Sequence, residues 1–468
     1  MRNKHVLVIP YPAQGHVMTL MEVARCLTSD GLKVTFVNME FIHKQVMSAW
    51  TDEQDGPSDL MQMVCITDEM EPRDDMKDPR KLPEAMPIFG PNKLEELLEG
   101  INKADDDKIT CIIADYCMGW VIRVAKKMGI RQATYYPGSA ANLALALSLQ
   151  KLMDDEVIDS KGVPLKKKMV QPSPTMPSMD DPAHFPWLYM GDPVRNQVIF
   201  DVLILEGKKA AEASDYIICN SHMELEPGAF SLFPKVLPIR PLLSTTRSAK
   251  QAGHFWKADT TCQNWLDQQQ VCSVIYVAFG SVTIFDQNQF EELALGLELT
   301  NKPFLWAVRP DTPYVYPSGY MDRISSHGKV VSWAPQQEIL NHPSVACFVS
   351  HCGWNSTIEG VSNGVPFLCW PYTGDHFSNT TYVRDIWKIG LGLDKDETGV
   401  VTRGEIKSKV EQLLSNKTVK ENALNLQEKL QAGNSSYNNI RKFIDWIKEG
   451  GDNLPANEEA QISCLSFN

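Results

Sequence analysis

Between Trp333 and His376 the chain reads WAPQQEILNHPSVACFVSHCGWNSTIEGVSNGVPFLCWPYTGDH, and its polar residues stand where they can grip a ligand. His351 closes a short apolar run, VACFVSH, that reads as a strand. Gly353, Asn355 and Ser356 then open a helix, whose backbone N–H groups and positive dipole end suit phosphate oxygens. Glu359 lies four residues after Asn355, one turn along the same helix, and can accept hydrogen bonds from ribose hydroxyls. Trp333 offers a flat face to a base. Asp375 and His376 follow a second apolar strand, PFLCW, with hydrogen-bonding groups suited to sugar hydroxyls. A βαβ unit presents such residues at the carboxyl ends of its strands. A nucleotide joined to a sugar would use all of them.

This stretch resembles the plant secondary-product glycosyltransferase box, the signature of UDP-sugar-dependent glycosyltransferases. Its fixed positions are present as Trp333, Gln336, His351, Gly353, Trp354, Asn355, Ser356, Glu359, Pro371 and Asp375. The alternative, an ordinary α/β unit with a Gly-rich turn, does not account for so long a match. The resemblance implies that Trp333 and Gln336 hold the uracil with the Ala334 backbone beside it. It implies that His351, Trp354–Ser356 and Ser281 face the phosphates; Ser281, in the turn after SVIYVAFG, also reads as a helix-entry serine. The last position of the box is most often Gln in glucosyltransferases and is His376 here. In the family, His there resembles galactosyl-, arabinosyl- and some rhamnosyltransferases. Pro137 stands where many relatives carry a small hydroxyl residue near the sugar. UDP-glucose is therefore not expected to be the sole donor, although glucosyl transfer with His376 stays open.

The reaction implied is attack of an acceptor hydroxyl on the anomeric carbon of a UDP-sugar, with inversion. A hydroxyl needs a base to take its proton. His16 follows the first predicted strand, at the carboxyl end where open sheets build sites. Asp115 ends the strand TCIIAD and could hold the second imidazole nitrogen, favouring the imidazolium formed during attack. The resemblance places its catalytic His and Asp at these positions, in PYPAQGH and IIADY. Each alone also reads as a helix cap or a strand-end acid. Metal-dependent transferases use Asp-x-Asp; Asp394-Lys395-Asp396 matches it but lies in a charged loop beyond the nucleotide motif, so no metal and no resident cofactor are expected. A UDP-sugar-binding protein without turnover is the second reading, and intact His16 and Asp115 weigh against it. A third, a related epimerase, would need carboxylates in place of the base motif.

The elements that must position these residues alternate strand and helix. In the first half the strands are HVLVIPYP (5–12), KVTFVN, LMQMVCIT, TCIIAD, RQATYYP and DYIICN, with helices expected over Met18 to Thr28, Pro83 to Gly100, up to Met128, Ser139 to Met153 and 194–213. Residues 68–82 read as a surface loop, and 154–192 as a long excursion around HFPWLYM. A second set follows with strands SVIYVAFG, PFLWAVR, KVVSW, VACFVSH and PFLCW, and helices near 402–414, 417–431 and 436–449. This alternation predicts α/β architecture with parallel doubly wound sheets. The resemblance implies GT-B: two doubly wound Rossmann-like parallel-sheet domains facing a cleft. The expected divisions are an acceptor-binding domain over 1–240, a linker over 241–258, a UDP-sugar domain over 259–435, a helix over 436–450 crossing back, and a tail over 451–468. Tyr116, Tyr136, Ser139, Phe185 and Trp187 could line an acceptor cleft for a flavonoid, phenolic or terpenoid, or be core.

At 468 residues the chain is too long for one ordinary core, and two domains of roughly 200 residues are expected. Its net charge of −13 argues against a nucleic-acid or anionic-membrane surface, though not against a pyrophosphate held by a helix N-terminus. The expected partners are a UDP-sugar and a small hydrophobic acceptor, with no nucleic acid and no membrane insertion. Monomer is the default. Eleven cysteines without a C-x-x-C pair suggest free thiols in a reducing compartment, by default the cytosol. The short N-terminal apolar run ends in Pro10 and Pro12 and reads as a buried strand, not a signal peptide. No G-x-S-x-G, G-x-x-x-x-G-K-[ST] or H-E-x-x-H motif is present, and no G-x-G-x-x-G follows the first strand.

Overall fold

The computed structural model describes residues 4–49, 59–67, 82–103, 107–165, 170–173, 175–178, 185–188, 192–239, 253–433 and 435–449. They form two compact units: 4–239, 253–255 and 435–449 in one, and 256–433 in the other. The loop expected at 68–82, most of the linker before Gly253 and the tail 451–468 lie outside the described residues, as do parts of the excursion at 154–192.

The first unit is built on seven parallel strands. They are β1 (His5–Ile9), β2 (Lys33–Met39), β3 (Met61–Ile66), β4 (Ile109–Asp115), β5 (Arg131–Tyr136), β6 (Tyr216–Cys219) and β7 (Val236–Pro238), in the spatial order β3-β2-β1-β4-β5-β6-β7. The chain order reverses between β1 and β4, the kind of switch point at which open parallel sheets bind ligands. The strands carry continuous Val, Ile, Leu and Ala runs because both faces are covered by helices. The helix Gln14–Ser29 buries Val17, Leu20, Met21, Val23, Ala24 and Leu27 on one face. It begins four residues before the expected Met18. Its N-cap, Ala13, makes no side-chain cap bond, so the usual sequence signal for a helix start is missing. The apolar helix expected from Ser139 to Met153 is instead two, Ala140–Leu147 and Leu149–Asp154, divided at Ser148, whose hydroxyl turns back to the Ala144 carbonyl. The helix Ser435–Glu449 belongs to this unit. Phe443 and Trp446 pack on Tyr216, while Arg131 lies 3.9 Å over the Trp446 ring and donates to its carbonyl at 2.7 Å.

The second unit carries six parallel strands: β8 (Val274–Ala278), β9 (Phe304–Ala307), β10 (Gly328–Val331), β11 (Val345–Ser350), β12 (Phe367–Cys369) and β13 (Gly390–Gly392). Their order is β10-β9-β8-β11-β12-β13. Ala278 pairs with Ser350, so Ser281 and His351 leave neighbouring strands at the same carboxyl edge. The chain from β11 to β12 passes through the helix Trp354–Ser362, which carries the middle of the sequence motif. The architecture is therefore α/β, with two Rossmann-like parallel-sheet units. Among the described residues no helix is long and apolar enough to cross a membrane.

Candidate active site and nucleotide motif

In the first unit, β1 and β4 are neighbours, with Ile9 opposite Ala114. This register brings the first turn of the helix Gln14–Ser29 beside the end of β4. His16 Nδ1 lies 2.8 Å from Asp115 Oδ2. The carboxylate is fully buried, whereas the imidazole is 27% exposed. Asp115 Oδ1 accepts the Cys117 backbone N–H at 2.9 Å, which fixes the plane of the carboxylate. The Tyr11 ring stands 5.2 Å from the imidazole. An acidic partner on Nδ1 leaves Nε2 as the basic nitrogen. The Cys117 thiol, close enough to form a His–Asp–Cys cluster with ligand atoms within 4.8 Å, is pushed well above its ordinary pKa by burial and by Asp115. It stands there as a neutral thiol beside the pair.

In the second unit the motif residues converge on the helix Trp354–Ser362. Gln336 donates from Nε2 to Ser356 Oγ at 2.9 Å and to Glu359 Oε2, and accepts from the Tyr276 hydroxyl at 3.1 Å. Gln337 donates to the other oxygen of Glu359. Burial raises the Glu359 carboxyl to about 7, against the two glutamine bonds that lower it. Trp333, half-buried, packs against Trp256 with ring centroids 4.7 Å apart, and Ala334 is buried beside it. Ser281 lies in the turn after β8, half-buried; the following helix, Gln287–Leu299, is capped by Asp286, so Ser281 is not the helix-entry residue.

His351 sits between two glycines. A Cβ on either Gly280 or Gly353 would lie 2.6 Å from its Nε2, and Gly280 also has φ +68°. Burial holds the imidazole down to about 3, with His376 adding to the effect and Asp375 opposing it. The Gly353 cap makes no side-chain bond to the helix it opens. Asp375 accepts from the Trp354 backbone N–H and from Asn379 Nδ2, the latter at 2.8 Å; burial raises its carboxyl. Asn355 is half-buried on the same first turn.

At His376 the structure narrows what the ring can offer. A neutral imidazole with both nitrogens unspent has one donor and one acceptor. Its Nδ1 accepts instead from the backbone N–H groups of Tyr372 and Thr373, at 3.3 and 3.2 Å. The proton is thereby placed on Nε2, and burial lowers the group to about 3, so the ring is neutral and only a donor is left. Its ring meets that of His351 edge-on at 4.6 Å.

The aromatic candidates for an acceptor cleft are mostly core. Tyr116 is buried and donates to the Ile204 carbonyl. Trp187 donates to Gly162, stacks on Phe185 at 4.9 Å and packs on Phe200. Ser139 is buried as the cap of the helix Ala140–Leu147, and Tyr136 meets Tyr116 edge-on. In the Asp-x-Asp run, Asp394 pairs with Lys409 at 2.9 Å, and one oxygen of Asp396 accepts three bonds within its own turn. Four supporting groups escaped the sequence reading: Tyr276, Gln337, Asn379 and Cys117. Asn379 was findable, one helical turn after Asp375. Tyr276 sits inside an apolar strand and carried no signal.

The model of the UDP-glucoronosyl and UDP-glucosyl transferase family matches residues 249–431. UDP-glycosyltransferase 83A1 of Arabidopsis thaliana is 41% identical over 461 residues, covering 96% of this chain and 97% of that protein. The crystal structure of Os79 from O. sativa in complex with UDP superposes with a TM-score of 0.78 at 27% identity, over 94% of this chain and 100% of that one. A UDP-glucosyltransferase from Polygonum tinctorium capable of glucosylating indoxyl, in complex with 3,4-dichloroaniline, gives 0.80 at 25% identity, over 96% and 99%. Similarity along nearly the whole length, joined to a complete nucleotide motif on a GT-B pair of units, places this chain in the family of plant UDP-glycosyltransferases, enzymes that move a sugar from a UDP-sugar to a plant small molecule.

Proposed function

We propose that the chain is an inverting O-glycosyltransferase in which His16 is the base and Asp115 its positioning partner. The observation that carries this reading is the 2.8 Å contact from His16 Nδ1 to the buried Asp115 carboxylate. The acceptor hydroxyl gives its proton to Nε2 as its oxygen bonds to the anomeric carbon. The bond from that carbon to the phosphate oxygen breaks on the opposite face, and UDP leaves with the electron pair. The new imidazolium is stabilised by the fully buried Asp115 carboxylate beside it. On the donor side, Trp333, Ala334 and Gln336 hold the uracil and Glu359 the ribose. Ser281, His351, Gly353, Trp354, Asn355 and Ser356 take the phosphates, supplying N–H and helix-dipole stabilisation to the leaving group without a metal. Asp375 and His376 contact the transferred sugar, the first accepting and the second donating. The acceptor is a small hydrophobic alcohol or phenol of plant metabolism. The described cysteines are free, which suits work in the cytosol.

The test is release of UDP from an α-linked UDP-sugar with a mixed panel of alcohols and phenols, followed by assignment of the product's anomeric configuration by proton NMR. Acceptor-dependent release with a β-glycoside product supports the reading. A retained α configuration refutes the one-step displacement, and UDP-sugar binding without release supports a binding protein.

A further inference from the structure

Residues 253–259 are a strap by which the chain passes from the first unit to the second, and both halves of it are fastened. Gly253, His254 and Phe255 belong to the first unit and lie on the helix Gln14–Ser29. Gln14 Oε1 accepts the Phe255 backbone N–H at 2.7 Å. Gln14 Nε2 donates to Met18 Sδ at 2.8 Å and stands 3.3 Å from His254 Nδ1. Burial lowers His254 to about 4, so its imidazole is neutral and Nδ1 can accept. At Gly253 φ is +83°, and a Cβ there would lie 3.2 Å from Met18 Cα. The strap's backbone is therefore laid against the helix backbone at a place that favours glycine. Phe255 packs on the core to which this helix contributes Leu20 and Met21. From Trp256 the chain belongs to the second unit. Trp256 packs on Trp333, and the Asp259 N–H donates to the Trp333 carbonyl at 2.9 Å. One peptide bond thus separates the residue bonded to Gln14 from the residue packed on the Trp333 ring.

Gln14 is 5% exposed and stands two residues before His16, in a first turn whose cap, Ala13, supplies no side-chain bond. Resting on the reading of His16 as the base and Trp333 as the uracil platform, we propose that Gln14 is a positioning residue for the reaction. It clasps the strap to the turn that carries His16, so that order at the uracil platform and order at the base support each other along the covalent chain. A nucleotide on Trp333 steadies the tryptophan pair, the pair steadies the strap, and the Gln14 bonds pass that restraint to the first turn of the helix. Such coupling is reciprocal: a loosened clasp weakens nucleotide binding by the factor by which the nucleotide no longer steadies the turn. Gln14 acts through the backbone of the strap and of its own helix, not on the substrate.

The test is hydrogen exchange at the His16 and Val17 amides, both bonded to the Ala13 carbonyl. It is measured on the full chain with and without saturating UDP, beside UDP calorimetry and transfer kinetics. In wild type UDP should slow exchange of these amides by about fivefold, the worth of one net hydrogen bond. Gln14→Met keeps the length of the side chain and removes its oxygen acceptor and its N–H donors. It should bind UDP about fivefold more weakly, lose the slowing, and lower kcat at saturating donor and acceptor by a similar factor. Gly253→Ala lifts the strap from the helix while leaving Gln14 and the nucleotide motif intact, and should reproduce these losses. Gln14→Glu keeps an oxygen for the Phe255 N–H and should retain the slowing. Tm checks that each variant is folded, and Gly253→Ala decides alone if Gln14→Met is not. Slowing that is absent in wild type, or that persists in Gln14→Met and Gly253→Ala, overturns the clasp. The underlying reading fails separately. His16→Ala should lose transfer and keep the slowing; if it transfers normally the base falls, while the exchange results still decide the clasp. Unchanged UDP affinity in Trp333→Ala would likewise remove the uracil platform on its own evidence.

Discussion

Replacing Asp115 by Asn tests the pair with almost no change of shape. Asp115 is fully buried and accepts two bonds, from the Cys117 backbone N–H and from His16 Nδ1. Asn has one carbonyl oxygen, which the Cys117 N–H claims. Its NH₂ then faces Nδ1, which must become an acceptor, and the imidazole proton moves to Nε2, where the base was needed. The variant also loses the charge that stabilises the imidazolium. Two unit charges about 4 Å apart at an effective dielectric of about 20 interact by ~4 kcal/mol. That corresponds to roughly a thousandfold in rate. Because the imidazole is 27% exposed, solvent screens part of this, and a loss of roughly 10²–10³ in kcat is expected, within the range for general-base catalysis. The assay is initial-rate UDP release at saturating donor and acceptor, with UDP affinity measured by calorimetry on the same preparation. Affinity should be unchanged, because Asp115 belongs to the unit that does not carry the nucleotide motif. Asp115→Asn combined with His16→Ala should cost no more than His16→Ala alone, as expected of residues acting as one unit. A kcat within tenfold of wild type, or additive losses in the double variant, would refute the reasoning.

Three further outcomes follow from the nucleotide motif. Burial raises the Glu359 carboxyl from 4.5 to about 7, so in the unliganded protein its contribution to stability is present at low pH and is lost as pH rises through that window. Ribose hydroxyls donate to the ionised form, so UDP affinity should weaken by up to roughly tenfold per pH unit below about 7, and Glu359→Gln should flatten the difference; an unchanged profile in the variant would contradict the ribose role. With only Nε2–H available at His376, competition among UDP-glucose, UDP-galactose, UDP-xylose, UDP-arabinose and UDP-rhamnose should show use of more than UDP-glucose. His376→Gln should move the preference towards UDP-glucose by about 1–3 kcal/mol, and a strict wild-type preference for UDP-glucose that persists in the variant would remove His376 from selection. Activity should survive EDTA; complete loss restored by Mn²⁺ or Mg²⁺ would return Asp394 and Asp396 to consideration.

Much of the fold was legible because the buried parallel strands are written as short apolar runs. SVIYVAFG, PFLWAVR, VACFVSH and PFLCW all became strands of the second sheet. The strand Gly390–Gly392 was not legible, since its GLG carries no strand-forming residue and exists only through pairing with β12. The start of the helix Gln14–Ser29 was misplaced because nothing caps it. In the site, residue types and order were readable, but the use of each atom was not. That His376 spends its Nδ1 on two backbone N–H groups depends on a loop geometry no spacing rule encodes. The aromatic residues that looked like an acceptor pocket mostly turned inward to pack.

The central claim is tested most directly by His16→Ala, assayed for single-turnover sugar transfer to an unactivated alcohol with donor saturating and UDP affinity measured alongside. The account predicts that transfer falls by roughly 10²-fold or more while UDP binds as in wild type. Near-normal transfer by that variant, with UDP bound equally well, would contradict it.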